Sequence, residues 1–355
     1  MKEIDYLIVG QGIAGSVLSY TFLKAGAKIW VIDPNTPHNS SKAASGVCNP
    51  ITGRRLVKTW LADDLFPFLH RFYAAMEADL GTQFCFKKEV YRTFDTIAEQ
   101  NEWFARSSSS AWTKYARKEA EHQIYTKLID NSFGGWETLG ARFIRVDVMM
   151  EACRSYLMHN QCYTEGIFNH QDVKLTSEGV SWQDFKAKKI IFCEGAKVLD
   201  NPHFNYLPHR PDKGEWLKIS LEDDIYLENM IKKQVFIIPL GNREFLVSGT
   251  YHKNDLSYQT TEKAKAELSK KLDQVLKLPY QIIDQRAGIR SGTRDRRPYI
   301  GLHPQHPQLG IFNGLGTKGL SLSPYFAHHF YRHLTQGDVL HPEADIKRYE
   351  KYLTK

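Results

Sequence analysis

Gly10, Gly12 and Gly15 fall at the G-x-G-x-x-G spacing, and Asp33 follows Gly15 by 18 residues. That order of residue types suits a dinucleotide. The first glycine permits a tight turn, the second lets the backbone approach a pyrophosphate, and the third lets a helix pack closely on a strand. A helix starting there, at Ile13 and Ala14, offers free amides and the positive end of its dipole to the phosphates. Asp33 stands near the ~20-residue separation expected of the acid that accepts from ribose hydroxyls. It would repel a 2′-phosphate, and the following Pro34-Asn35-Thr36 supplies no arginine to receive one.

These residues need a strand, a helix and a second strand to hold them, and the sequence supplies each in turn. Asp5 to Val9 is an apolar strand, an apolar-periodic helix runs to about Ala25, and Lys28 to Ile32 ends on Asp33. Farther on, Thr59 to Leu80 has helical periodicity, with Pro67 placed to kink or divide it. Thr261 to Leu278 reads as a helix capped by Thr261 and closed by Pro279. Val235 to Tyr251 reads as a hairpin turning at Gly241-Asn242. Gly179 to Glu194 holds a two-stranded pattern that returns to the nucleotide-binding sheet. Gly310 to Thr335 reads as strand, glycine loop and helix. Ser107 to Ser110 reads as a surface loop.

Length and composition set the outer bounds. A chain of 355 residues with 42% hydrophobic residues suits two domains around sizeable cores. The balance of 47 Lys+Arg against 40 Asp+Glu, a net +7, is spread without a basic block, so nucleic acid is weakly indicated. The five cysteines form no CxxC pair, and adjacent His328-His329 point to different helix faces, so no metal site is expected. No apolar run approaches the ~18 residues of a membrane span. With a strand opening within the first ten residues no leader is expected, and with free thiols a cytoplasmic location is expected.

Four separated motifs together resemble the D-amino-acid oxidase superfamily of FAD enzymes, and within it the glycine oxidase branch. They are the N-terminal fingerprint, the Ser40–Val47 loop (SSKAASGV), the Ala287–Gly301 stretch (AGIRSGTRDRRPYIG), and Gly314–Pro324 (GLGTKGLSLSP). Pro211–Gly214 and Phe236–Thr250 are weaker echoes. The last two motifs, with Ala44-Ser45-Gly46 and Asn49, also resemble the FAD half of the bifunctional enzyme that modifies a wobble uridine in tRNA. This chain departs from the glycine oxidase pattern at Ser291, Phe236 and Tyr251, positions that line the family's substrate pocket.

The resemblance implies an α/β fold: a Rossmann-like FAD domain (1–80, 145–205 and 285–355) and an antiparallel-sheet substrate domain (81–144 and 206–284). It implies FAD held by Gly10, Gly12, Ile13, Ala14, Gly15, Asp33, Ser41, Ala44, Ser45, Gly46, Val173 (through its backbone), Gly195, Gly314, Gly316, Thr317, Lys318, Gly319 and Leu320. Family members that link flavin covalently use a C-terminal cysteine, and none follows Cys193, so non-covalent FAD is expected. Arg290 is the candidate for gripping a substrate carboxylate; the competing role is a structural arginine paired with Asp295 or Asp284. Lys318 either steadies charge on the reduced cofactor or is a solvated loop lysine. Tyr251 or His252 lines the pocket, or packs a strand end. The implied function is oxidation of the C–N bond of a small amino acid or N-substituted glycine, with O2 or another acceptor taking the electrons. Alternatives are a stand-alone oxidase of carboxymethylaminomethyl-uridine in tRNA, a 2-hydroxy-acid dehydrogenase, and a flavin-binding partner without catalysis.

Overall fold

A computed structural model describes residues 1–52, 57–107, 112, 114–117, 122–177, 179–223 and 225–353. Two eight-stranded sheets organise it. In the first, Lys2–Val9 is central, flanked in parallel by Ile29–Asp33 and Phe185–Phe192, with Val9 opposite both Ile32 and Phe192. Tyr163–Glu165 extends one edge, parallel to Ile29–Asp33. The other edge of Phe185–Phe192 is shared. Its first half pairs with the Val173–Thr176 and Gly179–Trp182 hairpin, and its last three residues pair in parallel with Leu309–Asn313.

The alternation of the first strand explains how this sheet is covered. Tyr6 and Ile8 belong to one buried cluster with Val17, Leu18 and Phe22 of the Ile13–Lys24 helix, whereas Leu7 and Val9 belong to the cluster on the opposite face. The helices Gly319–Gln336 and Ala62–Leu80 join the first cluster. Phe22 meets Tyr331 at 5.1 Å between ring centroids, and the Tyr73 hydroxyl donates to the Leu320 carbonyl at 2.8 Å. The second of these helices starts at Ala62, after Leu61 in a left-handed conformation, and continues unbroken through Pro67.

The second sheet runs Tyr280–Arg290, Asp212–Leu221, Glu244–Ser248, Phe236–Gly241, Met230–Lys232, Val90–Thr93, Gly135–Thr138 and Ala116–Arg117. It departs from the all-antiparallel expectation at one pair, Met230–Lys232 with Val90–Thr93, which is parallel. The hairpin turns one residue later than expected. Asn242 and Arg243 both have positive φ, as a two-residue primed turn requires, and Gly241 occupies the irregular position before them. Ser108–Ser110 of the expected loop lie outside the described residues. Among the described residues no helix is long and apolar enough to cross a membrane, and all five cysteines are free thiols.

The Glu262–Asp273 helix packs Ala264, Leu268 and Leu272 against this sheet and ends five residues short of the expected Leu278. Its start is tied down by a buried carboxylate. Thr261 Oγ1 accepts from the Ala264 amide at 3.1 Å, while Glu215 accepts from the Thr261 amide at 2.9 Å, its hydroxyl at 2.8 Å and Gln285 Nε2 at 2.8 Å. Beside it, the fully buried Lys213 donates to Asp255 at 2.5 Å and Ser257 at 3.1 Å, fixing the segment that leads into the helix.

Thr261→Ala removes the cap and one donor to a buried carboxylate, and should cost about 2 kcal/mol in chemical denaturation. Thr261→Ser should restore most of it. Asp255 is held well below the usual carboxylate range, first by its bond to Lys213. Its contribution is therefore present above the ordinary carboxylate value of about 4 and lost as pH falls below it. Thermal melts of Asp255→Asn should show a shallower decline on the acid side than the unaltered protein.

Candidate active site

The glycine loops converge where the parallel strands of the first sheet end. Gly10 donates to the Ile32 carbonyl at 2.8 Å, and Cys193 donates to the Val9 carbonyl at 2.8 Å. Gly10 has φ 98° and would press a Cβ to 2.6 Å from the Cys193 carbonyl oxygen. A Cβ on Gly15 would overlap the Gly10 carbonyl, so helix and turn touch backbone to backbone. Asp33 accepts from the Gln11 amide at 2.7 Å and the Asn35 amide at 2.6 Å, which aims its carboxylate across the turn. The Ile13 amide is taken by Ser41 Oγ at 2.9 Å, whereas the amides of Gly12 and Ala14 have no acceptor among the described residues. A helix N-terminus with open donors, narrowed by glycines and faced by an acid at ribose distance, fits a dinucleotide.

The loop from Ser40 to Gly46 spans the two sheets. Ser41 serves the helix start, Ser40 Oγ donates to the Ile289 carbonyl, and the Ala43 carbonyl accepts from Trp216 Nε1 at 3.0 Å. Ala44 closes a turn back to Ser41 at 3.1 Å, and Ser45 leads into Gly46. Gly46 is needed for packing, since a Cβ there would overlap the Ile144 carbonyl.

Val173 is not brought to this crevice by the strand register. It lies opposite Trp182, which lies opposite Phe185 at the Lys2 end of the sheet. The residue beside Asp33 is instead Gly166, whose amide donates to the Asp33 carbonyl at 3.0 Å, and the following Ile167 is 81% exposed. The sequence signal was the short Tyr163–Glu165 strand, too brief to read from periodicity.

The far motifs close the crevice. Asn313 Nδ2 donates to the Gly195 carbonyl at 2.9 Å, and the Gly316 amide donates to the Ser291 carbonyl at 3.0 Å. Gly314 and Gly316 both have positive φ, and nothing lies within 4 Å of where a Gly316 Cβ would stand. Thr317 is exposed, Leu320 is buried, and a Cβ on Gly319 would stand 3.5 Å from Ile13 Cγ2. The N-terminal glycine loop and the start of the Gly319–Gln336 helix are therefore neighbours. Lys318 is half-buried; burial, then Arg297 and Arg296, push its pKa down.

Arg290 ends the strand that precedes Ser291. Neither acid foreseen as its partner reaches it: Asp295 binds Arg348 at 3.0 Å, and Asp284 binds Arg286 at 3.0 Å. Its partner is Asp212, 78 residues away, which takes Nη1, while Nη2 donates to the Thr250 carbonyl at 3.1 Å. The guanidinium lies over Gly214, where any Cβ would overlap it, and under the Tyr251 ring, 4.2 Å from its centroid. Tyr251 is 63% exposed. His252 is bridged through its backbone to Lys213, with its ring 3.8 Å from Glu267, so it packs a strand end. Asp212 and Gly214 escaped attention although the Pro211–Gly214 echo contains both.

Fold and crevice define an oxidoreductase that uses a dinucleotide cofactor between two sheets. The sequence matches the FAD dependent oxidoreductase (DAO) model over residues 5–332, and the chain belongs to that family. It is 23% identical to a glycine oxidase of Bacillus licheniformis over 91% of this chain and 90% of that one. It is 22% identical to the tRNA 5-methylaminomethyl-2-thiouridine biosynthesis bifunctional protein MnmC of Shewanella amazonensis, covering 92% of this chain and 56% of that protein. Its fold superposes on the crystal structure of glycine oxidase from Geobacillus kaustophilus with a TM-score of 0.80 at 17% identity, covering 98% of each chain. The protein is an enzyme, and its cofactor is FAD.

Asp33→Ala should reduce FAD retention roughly 10- to 100-fold, as expected for about 1.5–3 kcal/mol of lost hydrogen bonding to a charged group. Flavin occupancy after gel filtration measures it, with circular dichroism of the apoprotein as the folding control. Acid or heat precipitation should leave all yellow colour in the supernatant; colour on the pellet would mean a covalent bond.

Proposed function

We propose that the enzyme oxidises the C–N bond of a small amine that carries a carboxylate, an amino acid or an N-substituted glycine. The observation that carries this is the placement of Arg290. Its neighbour Ser291 accepts from the Gly316 amide, which sets the strand end that carries Arg290 against the Gly314–Gly316 loop and supports a role for the guanidinium at the FAD crevice. Of the five N–H donors of an arginine, Asp212 and Thr250 occupy two, which leaves an edge for bidentate contact with a carboxylate. FAD, when bound, supplies the hydride-accepting chemistry. Arg290 fixes the substrate's carboxylate, and the Tyr251 ring and Gly214 backbone keep the guanidinium flat. Lys318, when protonated, adds positive charge beside the Gly316 loop, against the pull of burial and of Arg297 and Arg296 toward the neutral amine.

A second reading is oxidation of a carboxymethylamino group on tRNA, which is an N-substituted glycine by chemistry. Two features favour it: the similarity to MnmC and the grouping of Lys318 with Arg296 and Arg297 close enough to depress the lysine's pKa. Flavin reduction by free N-alkylglycines, against reduction by carboxymethylaminomethyl-modified tRNA, separates the two. Binding to tRNA that weakens steeply with salt would support the second. The free thiols fit a reducing compartment, and we place the enzyme in the cytoplasm on that basis.

Arg290→Ala should lower kcat/KM by about 2–4 kcal/mol, roughly 30- to 1000-fold, with FAD retained. Arg290→Lys should recover part, because an ammonium cannot reproduce the planar fork. Equal turnover of decarboxylated amines by the unaltered enzyme would show that no carboxylate grip is in use.

A further inference from the structure

Asp212 does more than neutralise Arg290. Only one of its oxygens is used: Oδ1 takes Nη1 of Arg290, while Oδ2 has no donor among the described residues. Neither member of the pair is sealed from solvent, the Asp212 side chain being 23% exposed and that of Arg290 21% exposed. The arginine is already held without it. Gly214 lies beneath the guanidinium, Tyr251 above it, and the Thr250 carbonyl at one edge. Asp212 itself is fixed by its place in the Asp212–Leu221 strand, paired directly across from Arg290.

The pair therefore presents a cation and an anion side by side, with unused hydrogen-bonding capacity on both. We infer that Asp212 is the subsite for the substrate's amino group, and so the residue by which this pocket selects an amine-bearing carboxylate over a neutral one. The inference rests on the assignment of the carboxylate to Arg290. In an α-amino acid or N-substituted glycine the nitrogen is two bonds from the carboxylate carbon. A carboxylate seated on the free edge of Arg290 puts that nitrogen within reach of Oδ2. A zwitterion then docks charge for charge. A carboxylate with a hydroxyl or hydrogen in place of the amine brings a second negative charge against Asp212 with nothing to offset it. Neither Asp284 of the same strand nor Asp295 beyond its end competes for Arg290, since both bind other arginines.

The test uses FAD-loaded enzyme whose flavin has been reduced beforehand and is kept anaerobic, so that bound glycine cannot be oxidised, with binding of radiolabelled glycine, glycolate and acetate measured by equilibrium dialysis. In the unaltered enzyme glycine should bind at least 10-fold tighter than glycolate or acetate. In Asp212→Asn the preferences should move in opposite directions: glycine at least 10-fold weaker, glycolate and acetate several-fold tighter. Asp212→Glu should keep the sign of the unaltered preference. A merely structural Asp212 would weaken all three ligands together, and that result overturns the inference. So does an unaltered enzyme that binds acetate as well as glycine, a comparison that survives even if the variants lose flavin. Arg290→Ala distinguishes the underlying assignment: if acetate binding is unchanged in that variant, the carboxylate is not on Arg290, and the failure belongs there and not to Asp212.

Discussion

The seam between the two sheets governs the architecture around the crevice. It is built from close contacts to the backbone that tolerate little change. The Gly316 amide bonds to the Ser291 carbonyl, Ser40 bonds to the Ile289 carbonyl, and Gly288 sits so close to Ala43 that a Cβ would stand 2.6 Å from the alanine methyl. These contacts fasten the end of the Tyr280–Arg290 strand between the Ser40–Gly46 loop and the Gly314–Gly316 loop. One strand of the second sheet thus delivers its last residue to the cofactor crevice of the first. Without that seam the two sheets could each form, but Arg290 would have no fixed position relative to the glycine loops.

Rigidity of the second sheet is secured by charges taken out of water. Glu215 and Lys213 have no exposed side-chain surface, and each is satisfied by several partners. A buried carboxylate or ammonium is costly unless its hydrogen bonds are met, so the network admits few alternative arrangements. Its partners, Thr261, Gln285, Asp255 and Ser257, lie on the segment that follows Tyr251 and on the strand that ends in Arg290. Anchoring both against the Asp212–Leu221 strand holds the tyrosine ring over the guanidinium.

Charge near the crevice is uneven. Arg290 is balanced by Asp212, and Arg297 by Glu343 at 2.7 Å while also lying 4.4 Å over the Trp60 ring. Lys318 has Arg297 and Arg296 as charged neighbours, and its pKa falls first through burial and then through their repulsion. Positive charge therefore collects around Lys318, whereas Arg290 is neutralised by its own acid.

The sequence by itself determined the dinucleotide unit from Asp5 to Asp33, the family and the cofactor. Those signals are local: strand alternation, helix period and glycines whose spacing follows from backbone sterics within one turn. It also carried the Thr261 cap and the strand, glycine loop and helix after Leu309, for the same reason. Hairpin register was out by one residue, because Gly241-Asn242 and Asn242-Arg243 are both plausible turns until the flanking strands choose the pairing. Tertiary structure alone decided what faces Arg290. Asp295 and Asp284 were its neighbours in the chain, but strand pairing turned them toward other arginines and brought Asp212 across 78 residues. It likewise put Gly166, and not Val173, beside Asp33. Side-chain partnership across a sheet depends on register between distant strands, and no local pattern of residue types encodes that.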